Sequence, residues 1–312
     1  MPIGINTKGW TAIDCSDGPS LCAVSVKTAV RAGERPQVLA AAEQARADAD
    51  TEGSALRELI GHVDHRLPIL MTLPRTHYRL RVMPEPAVPQ REMLTSLRWS
   101  LSTDSDGPME DFNLAWMRIP TEEQLPAKPR QVYAVMAPTA PLTVRLAAWR
   151  HVGVRPKVID IRETALRNIA GALERPGEGL ALLSAGTGGV SMVFTHQGSL
   201  YLDRTIELPE LAAADGAIRA LLYERIAVQL FRSIDVVGRS YPFMPVTRVV
   251  VVPAPEAPGL QEFLAGQLPV EPLDLDRLFD LSRVPELAQS PALQARCLVS
   301  LGATLRSAKA AP

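Results

Sequence analysis

Aromatic residues and net charge are both scarce in this sequence of 312 residues. Only 5% of the residues are aromatic, and 33 basic residues nearly cancel 34 acidic ones, which leaves a formal net charge of −1. Nucleic-acid-binding proteins use a basic surface and often aromatic platforms on which bases stack. The composition therefore favours neither a nucleic-acid partner nor an anionic membrane surface.

Long hydrophobic runs and cysteine motifs are also lacking. No run approaches the roughly 18 apolar residues of a membrane span, and the first ten residues contain no apolar signal-peptide core. The three cysteines form no Cys-x-x-Cys motif, and no zinc motif is present. Cys15 and Cys22 lie in strand-like segments, which predicts buried thiols in a reducing compartment. We therefore expect a cytoplasmic protein with no metal site and no direct membrane insertion.

The order of the predicted secondary-structure elements is the main evidence for the fold. The first 75 residues read as three strands, a helix and a strand. The same order returns after Pro176, where three strands, a long helix at 215–237 and a β-branched strand at 246–252 lead to the closing helices. A unit of mixed strands and helices separates the two halves. Hydrophobic residues make up 46% of the chain, which is ample for such cores.

Two βββαβαβα halves are the architecture of the actin-like, or ribonuclease-H-like, ATPases. We therefore predict an α/β fold of two such lobes with an inserted α+β subdomain, of the kind found in PilM and FtsA. The predicted divisions are an N-terminal lobe of residues 1–75 and 155–175, an insert of residues 76–154, and a C-terminal lobe of residues 176–312.

Several separated strings of residues narrow this prediction to one group. The strings are 73–74 with 78–88 (YRLRVMPEPAV), 92–101 (EMLTSLRWSL), 159–168 (IDIRETALRN), 198–206 (GSLYLDRTI) and 298–306 (LVSLGATLR). In this order they resemble the PilM and MshI group of pilus-assembly proteins, with MshI closer and the GspL cytoplasmic region more distant. The resemblance implies a scaffold peripheral to the inner membrane. Such proteins bind the cytoplasmic tail of a single-span, PilN-like partner in a groove between the first lobe and the insert.

The first predicted hairpin contains one half of a candidate nucleotide cleft. Actin-like ATPases usually place a glycine soon after the aspartate of this hairpin, but here Asp14 is followed by Cys15 and Ser16. Asp14 would either reach a magnesium-bound water or cap a turn through its side chain, and we favour the turn.

The second hairpin departs further from the ATPase pattern. Its Asp-x-Gly is replaced by Ser184-Ala185-Gly186, so the carboxylate is lost. A glycine-rich turn follows, which would either donate N–H groups to a phosphate or serve as a flexible hairpin turn, and we favour the turn. The turn residues are Gly186, Thr187, Gly188 and Gly189.

The sequence keeps only one of the two hairpin carboxylates that the ATPase pattern contains. It therefore predicts a vestigial nucleotide cleft that does not hydrolyse ATP. The prediction includes no catalytic residue and leaves ATP with magnesium open as a ligand. The alternative is an active actin-like ATPase of the same machinery or of type II secretion.

Arg98 and Trp99 are the candidate partner-binding residues. Tryptophan and arginine are frequent anchors of protein interfaces, so one interpretation is that these two residues line a groove that binds a partner peptide. The other interpretation places Trp99 in the core of the insert, and we favour the core for this residue.

Overall fold

The structure, a computed structural model, describes residues 9–15, 20–29, 33–46, 52–102, 108–121 and 129–306. The strands in this part of the chain are β1 (Gly9–Asp14), β2 (Ser20–Lys27), β3 (Gln37–Ala45), β4 (Ile69–Thr72), β5 (Arg79–Pro84), β6 (Phe112–Ile119), β7 (Gln131–Pro138), β8 (Val158–Asp160), β9 (Gly179–Gly186), β10 (Gly189–His196), β11 (Ser199–Glu207), β12 (Val246–Val252) and β13 (Val270–Pro272). The helices are α1 (Glu52–Ile60), α2 (Met93–Ser102), α3 (Thr139–His151), α4 (Arg162–Leu173), α5 (Gly216–Ser240), α6 (Leu260–Ala265), α7 (Pro285–Gln289) and α8 (Pro291–Thr304).

Two of the sheets have the same strand order. The first is β3-β2-β1-β4-β8, and the second is β11-β10-β9-β12-β13. In each sheet three antiparallel strands are followed by two that run parallel to the first of them. Val249 to Val252 of β12 are all buried in the centre of the second sheet, as a continuous β-branched run predicts. The predicted actin-like arrangement of two equivalent α/β lobes is confirmed.

The last helix of each half packs on the sheet of the other half. Leu166 and Ile169 of α4 lie in the core of the second sheet with Phe194. Val299 of α8 packs against Trp10 in the core of the first sheet. Each half therefore supplies the helix that covers the other half's sheet.

The crossing of α4 and α8 depends on a glycine. A Cβ atom on Gly302 of α8 would lie 2.2 Å from the carbonyl oxygen of Ala165 in α4. The side-chain amide of Asn168 donates to the carbonyl oxygen of Gly302 at 2.9 Å. Backbone therefore meets backbone at this point, with no room for any side chain at position 302.

The insert is a three-stranded sheet, β5-β7-β6, covered on one face by α2. Met93, Leu97 and Leu101 of α2 are buried against this sheet. Helix α3 follows β7 but buries Trp149 in the core of the first sheet, beside Leu56. The predicted domain limits stay a prediction, and we propose that the insert ends near residue 138 rather than 154, because α3 packs with the first lobe.

Helix α5 differs from its prediction. The sequence places apolar residues at every fourth position from Ile218 to Ile234, with Leu221 beside them, which predicts one buried stripe on this helix. In the structure Leu222, Ile226 and Leu230 are buried, whereas Ile218 is 56% exposed and Leu221 is 65% exposed. A step of four residues turns about 40° around a helix of 3.6 residues per turn, so a long row of this kind leaves the buried face. The predicted end of the helix at residue 237, before Gly238, is also wrong, because α5 continues to Ser240.

Two predictions from composition concern burial and membrane spans. Cys15 and Cys22 are buried free thiols, as predicted, and so is Cys297. In the described part of the chain, no helix combines the length and the apolar character that crossing a bilayer requires.

We expect Gly302→Ala to lower the free energy of unfolding by about 2 kcal/mol, because the added methyl group overpacks the crossing of α4 and α8. Gly238→Ala is the matched control, since position 238 also lies within a helix but a Cβ atom added there would meet nothing within 4 Å. The control should leave stability unchanged or raise it by up to about 1 kcal/mol. Guanidinium denaturation measures both, and equal effects of the two substitutions would contradict the importance of this contact.

Candidate functional site

Three buried polar residues lie side by side at one edge of the first sheet. Strands β1, β4 and β8 run parallel, and at their carboxyl ends Asp14 pairs with Thr72 and Thr72 pairs with Asp160. The three residues are all buried, with Asp14 6% and Asp160 7% exposed. In doubly wound α/β folds, ligands bind beyond the carboxyl ends of the strands. This row, which we call the polar row, is therefore the candidate site of the first lobe.

Protein groups already satisfy much of the polar row. The hydroxyl of Thr72 donates to Oδ1 of Asp14. Oδ1 of Asp160 accepts the backbone N–H of Ile161 at 2.9 Å and the hydroxyl of Thr164. Oδ2 of Asp160 accepts from Nη1 of Arg306 at 2.9 Å, in an ion pair that ties the residues after α8 to the start of α4.

Asp160 was missed as a site residue by the sequence analysis. It lies within the string IDIRETALRN, which served only to carry the resemblance. An aspartate that ends a buried strand directly before a helix was the available signal, since such a side chain reaches the N–H groups of the helix start.

The equivalent edge of the second sheet has no carboxylate in the position of Asp14. Ser184 stands near the end of β9 and pairs with Val252 of β12, so a hydroxyl and an aliphatic side chain replace the aspartate and the threonine. Nη2 of Arg162, the first residue of α4, donates to Oγ of Ser184 at 3.2 Å. A cation from the first half thus binds the hydroxyl that stands where a second carboxylate would be.

The glycine turn is a tight hairpin between β9 and β10. Gly186 pairs with Gly189, and the loop between them, Thr187 and Gly188, is exposed. Gly189 has a φ of 131°, and a Cβ atom there would lie 2.0 Å from the carbonyl oxygen of Ile206. At Gly186 and Gly188 a Cβ atom would meet nothing within 4 Å. The close approach at Gly189 explains one glycine by packing alone, while for the other two the favoured hairpin turn and the alternative role toward phosphate both stay open.

The predicted cleft residues that the structure describes divide between the two lobes. Of the predicted set, Asp14 lies in the polar row and residues 186–189 lie at the second hairpin, while Ser16 lies outside the described residues. Among the residues that the structure describes, no group of three or more His, Cys, Asp or Glu side chains is placed to hold a metal ion. Magnesium in such sites is held by carboxylates and substrate phosphates. Among the described residues, the polar row has two carboxylates: Asp14, which accepts from Thr72, and Asp160, which is paired with Arg306.

A second polar cluster lies where the insert, α4 and the second sheet meet. Oη of Tyr78 donates to Glu163 at 2.5 Å, and Nε of Arg75 lies 3.3 Å from the same carboxylate. Burial raises the pKa of Asp203 to about 7, and the neighbouring Glu163 adds to the rise, against opposing effects of Arg75 and Arg162. Oδ1 of Asp203 is buried without a hydrogen-bond partner. An ionised Asp203 is therefore unfavourable in the folded protein.

The core interpretation of Trp99 is wrong. Its side chain is 82% exposed, whereas Leu97 and Leu101 of the same helix are buried. Two residues along a helix correspond to about 200°, so a residue midway between two core positions points away from the core. Nη1 of Arg98 donates to the carbonyl oxygens of Met109 at 2.6 Å and Phe112 at 3.1 Å. Arg98 thus fixes α2 to the following turn, and Trp99 alone remains as a surface contact.

We expect Asp203→Asn to remove a pH dependence of stability. The folded protein keeps a proton on Asp203 up to about pH 7, whereas the unfolded chain releases it near its ordinary pKa of 3.8. Wild-type stability therefore falls as the pH rises from 4 to 7 and stays lower above that. At pH 8 the variant should be more stable by roughly 2–4 kcal/mol, and the difference should shrink toward pH 4.

Urea denaturation between pH 4 and pH 8 measures this difference. Glu207→Gln is the matched control, because Glu207 is an exposed carboxylate on the same strand. The control should follow the wild-type curve, and a difference for Asp203→Asn that does not change with pH would argue against a protonated Asp203.

Comparison with known proteins shows the fold. No protein-family model matches the chain, and no curated protein sequence matches it. A chain of the PilM–PilN type IV pilus biogenesis complex is similar with a TM-score of 0.73 and 19% identity, over 96% of this chain and 99% of that chain. The cytoplasmic domain of EpsL, an inner-membrane component of the type II secretion system of Vibrio cholerae, has a TM-score of 0.50 and 14% identity, over 91% and 97% of the two chains. The protein therefore has a PilM-like, actin-like ATPase fold.

Proposed function

We propose that this protein is a cytoplasmic assembly protein of a type IV pilus machinery of the MshI type. In this proposal it stays at the inner membrane by binding the cytoplasmic tail of a single-span, PilN-like partner. The observation that carries the proposal is the shared fold over 96% of the chain with a chain of the PilM–PilN complex. The strings that resemble the PilM and MshI group support the same assignment.

The proposed scaffold does not hydrolyse ATP. Hydrolysis by this fold needs carboxylates that position a metal ion and a water molecule. The second lobe offers Ser184, whose hydroxyl accepts from Arg162, and in the first lobe Asp160 is paired with Arg306. Arg162 reaches Ser184 from the start of α4, and Arg306 reaches Asp160 from the residues after α8, so both polar groups are already paired with a cation.

Trp99 is the proposed anchor for the tail. An indole that is 82% exposed leaves a large apolar surface in water, and tryptophan is among the residues that contribute most to binding at interfaces. The two hydrogen bonds of Arg98 hold α2 against the turn at 109–112, so the indole is presented on a fixed helix. A pre-organised anchor of this kind lowers the entropy lost on binding.

The test is isothermal titration of the full chain with a synthetic peptide. The peptide is the cytoplasmic tail of a single-span, PilN-like protein from the same organism. We expect measurable binding that Trp99→Ala weakens at least tenfold. Leu94→Ala is the matched control, because Leu94 is another exposed apolar residue of α2, and it should change the affinity less than twofold.

The two parts of the proposal fail differently. If the titration of the wild-type protein with the peptide gives no heat of binding, the assignment as a tail-binding scaffold is overturned. Binding that Trp99→Ala leaves intact would keep the scaffold and overturn the anchor.

An active ATPase is the second candidate. Asp14 at the carboxyl end of β1 and the open space at Gly186 and Gly188 favour it. Ligands that bind the folded state raise the melting temperature, so thermal unfolding with ATP and magnesium distinguishes the two candidates. For the scaffold we expect a Tm unchanged within about 1 °C. A rise of several degrees, with phosphate release that Asp14→Asn abolishes, would establish the ATPase instead.

A further inference from the structure

A groove with unpaired basic side chains lies beside the edge strand of the first sheet. It has a volume of about 610 Å³ and is lined by Leu146 and Arg150 of α3, by residues 155–157, and by Ile159 of β8. It lies near the amino end of β8, whereas the polar row and the start of the insert lie at the carboxyl ends of the strands. The groove is therefore separate from the candidate nucleotide cleft.

Three cations converge on this groove. Arg150, Arg155 and Lys157 are all exposed, and none forms an ion pair or a side-chain hydrogen bond with another residue that the structure describes. Most other arginines around the first lobe are engaged, as Arg145 is with Glu52 and Arg306 is with Asp160. A concentration of three unpaired positive charges attracts an anionic ligand.

The sheet edge adds a second property, directional backbone groups. Strand β8 ends the strand order β3-β2-β1-β4-β8, so among the strands that the structure describes it has a neighbour on one side only. An edge strand leaves backbone N–H and C=O groups able to pair with an added strand. Lys157 and Ile159 are exposed, while Val158 packs toward α8 and Asp160 is buried. The alternation puts Lys157 and Ile159 on the groove side of the strand.

We propose that this groove binds an extended acidic peptide segment of a partner protein, which adds a strand to β8. Side chains directly opposite each other on paired strands interact, so an acidic residue of the peptide faces Lys157. An apolar residue two positions away faces Ile159 and contacts Leu146. Arg150 and Arg155 neutralise further acidic residues along the segment. The site is independent of Trp99 and accommodates a second partner of the proposed scaffold.

The experiment measures fluorescence anisotropy of labelled eight-residue peptides with the full chain. In the probe, positions 1, 3, 5 and 7 are glutamate, valine, glutamate and valine, and the four even positions are threonine. One comparison peptide has lysine in place of glutamate, and another has the same composition in scrambled order. We expect the probe to bind at least tenfold more tightly than either of them, with affinity that falls as salt rises.

Charge-reversed variants locate the binding. Arg150→Glu and Lys157→Glu should each weaken the probe at least fivefold, and the pair together should abolish binding. Arg232→Glu is the matched control, since Arg232 is an exposed cation of α5 and its reversal changes the net charge equally. It should alter the affinity less than twofold.

Three results would overturn the proposal. One is the absence of probe binding. In that case the three cations and Pro156 would serve to prevent other strands from pairing with this sheet edge. Another is equal binding of the scrambled peptide, which would show charge attraction without strand pairing. The third is charge-dependent binding to phosphatidylglycerol vesicles in place of the peptide, which would assign the groove to a lipid surface. The effect of Trp99→Ala on tail binding tests only the proposed function. It does not change the expected result of the anisotropy experiment on the groove.

Discussion

The contact on which the architecture depends is the crossing of α4 and α8 at Ala165 and Gly302. Each helix completes the core of the sheet that belongs to the other half, so neither sheet is covered without both. Because backbone meets backbone at the crossing, the two helices are held at a fixed distance with little freedom to slide. Asn168 and Arg306, which lie close to the crossing, carry this constraint into the hydrogen bonds of the cleft.

The cleft follows from the crossing. Helix α4 begins two residues after Asp160, and its first residue, Arg162, reaches Ser184 of the second lobe. Arg306 follows α8 and reaches Asp160 of the first lobe. In a nucleotide-binding member of this fold, the ligand itself would bridge the two lobes through its phosphates. Here Ser184 and Asp160 are each already engaged by an arginine, which is the physical basis for proposing a scaffold rather than an enzyme.

The sequence predicted the elements well where local pattern decides them. The β-branched run at 246–252 and the strand–turn–strand pattern around Gly186–Gly189 are determined by neighbours in the chain, and both were predicted correctly. Trp99 and the outer residues of α5 were not, because their environment depends on which helix face meets a sheet. Asp160 was overlooked for a similar reason, since its partner Arg306 is distant in sequence and only the fold brings them together. The end of the insert is hard to predict for the same reason, since only the packing of Trp149 in the core of the first sheet separates α3 from the strands of the insert.

The exchange of the final helices bears on synthesis of the chain. A ribosome makes the first sheet early, but Val299 and Ala303, which cover one face of it, are among the last residues of the described chain to emerge. Until then Trp10, Ala12 and Leu70 remain uncovered, an apolar surface of the kind that chaperones recognise. The strands of the first lobe are therefore translated well before α8, the helix that covers this face of their sheet.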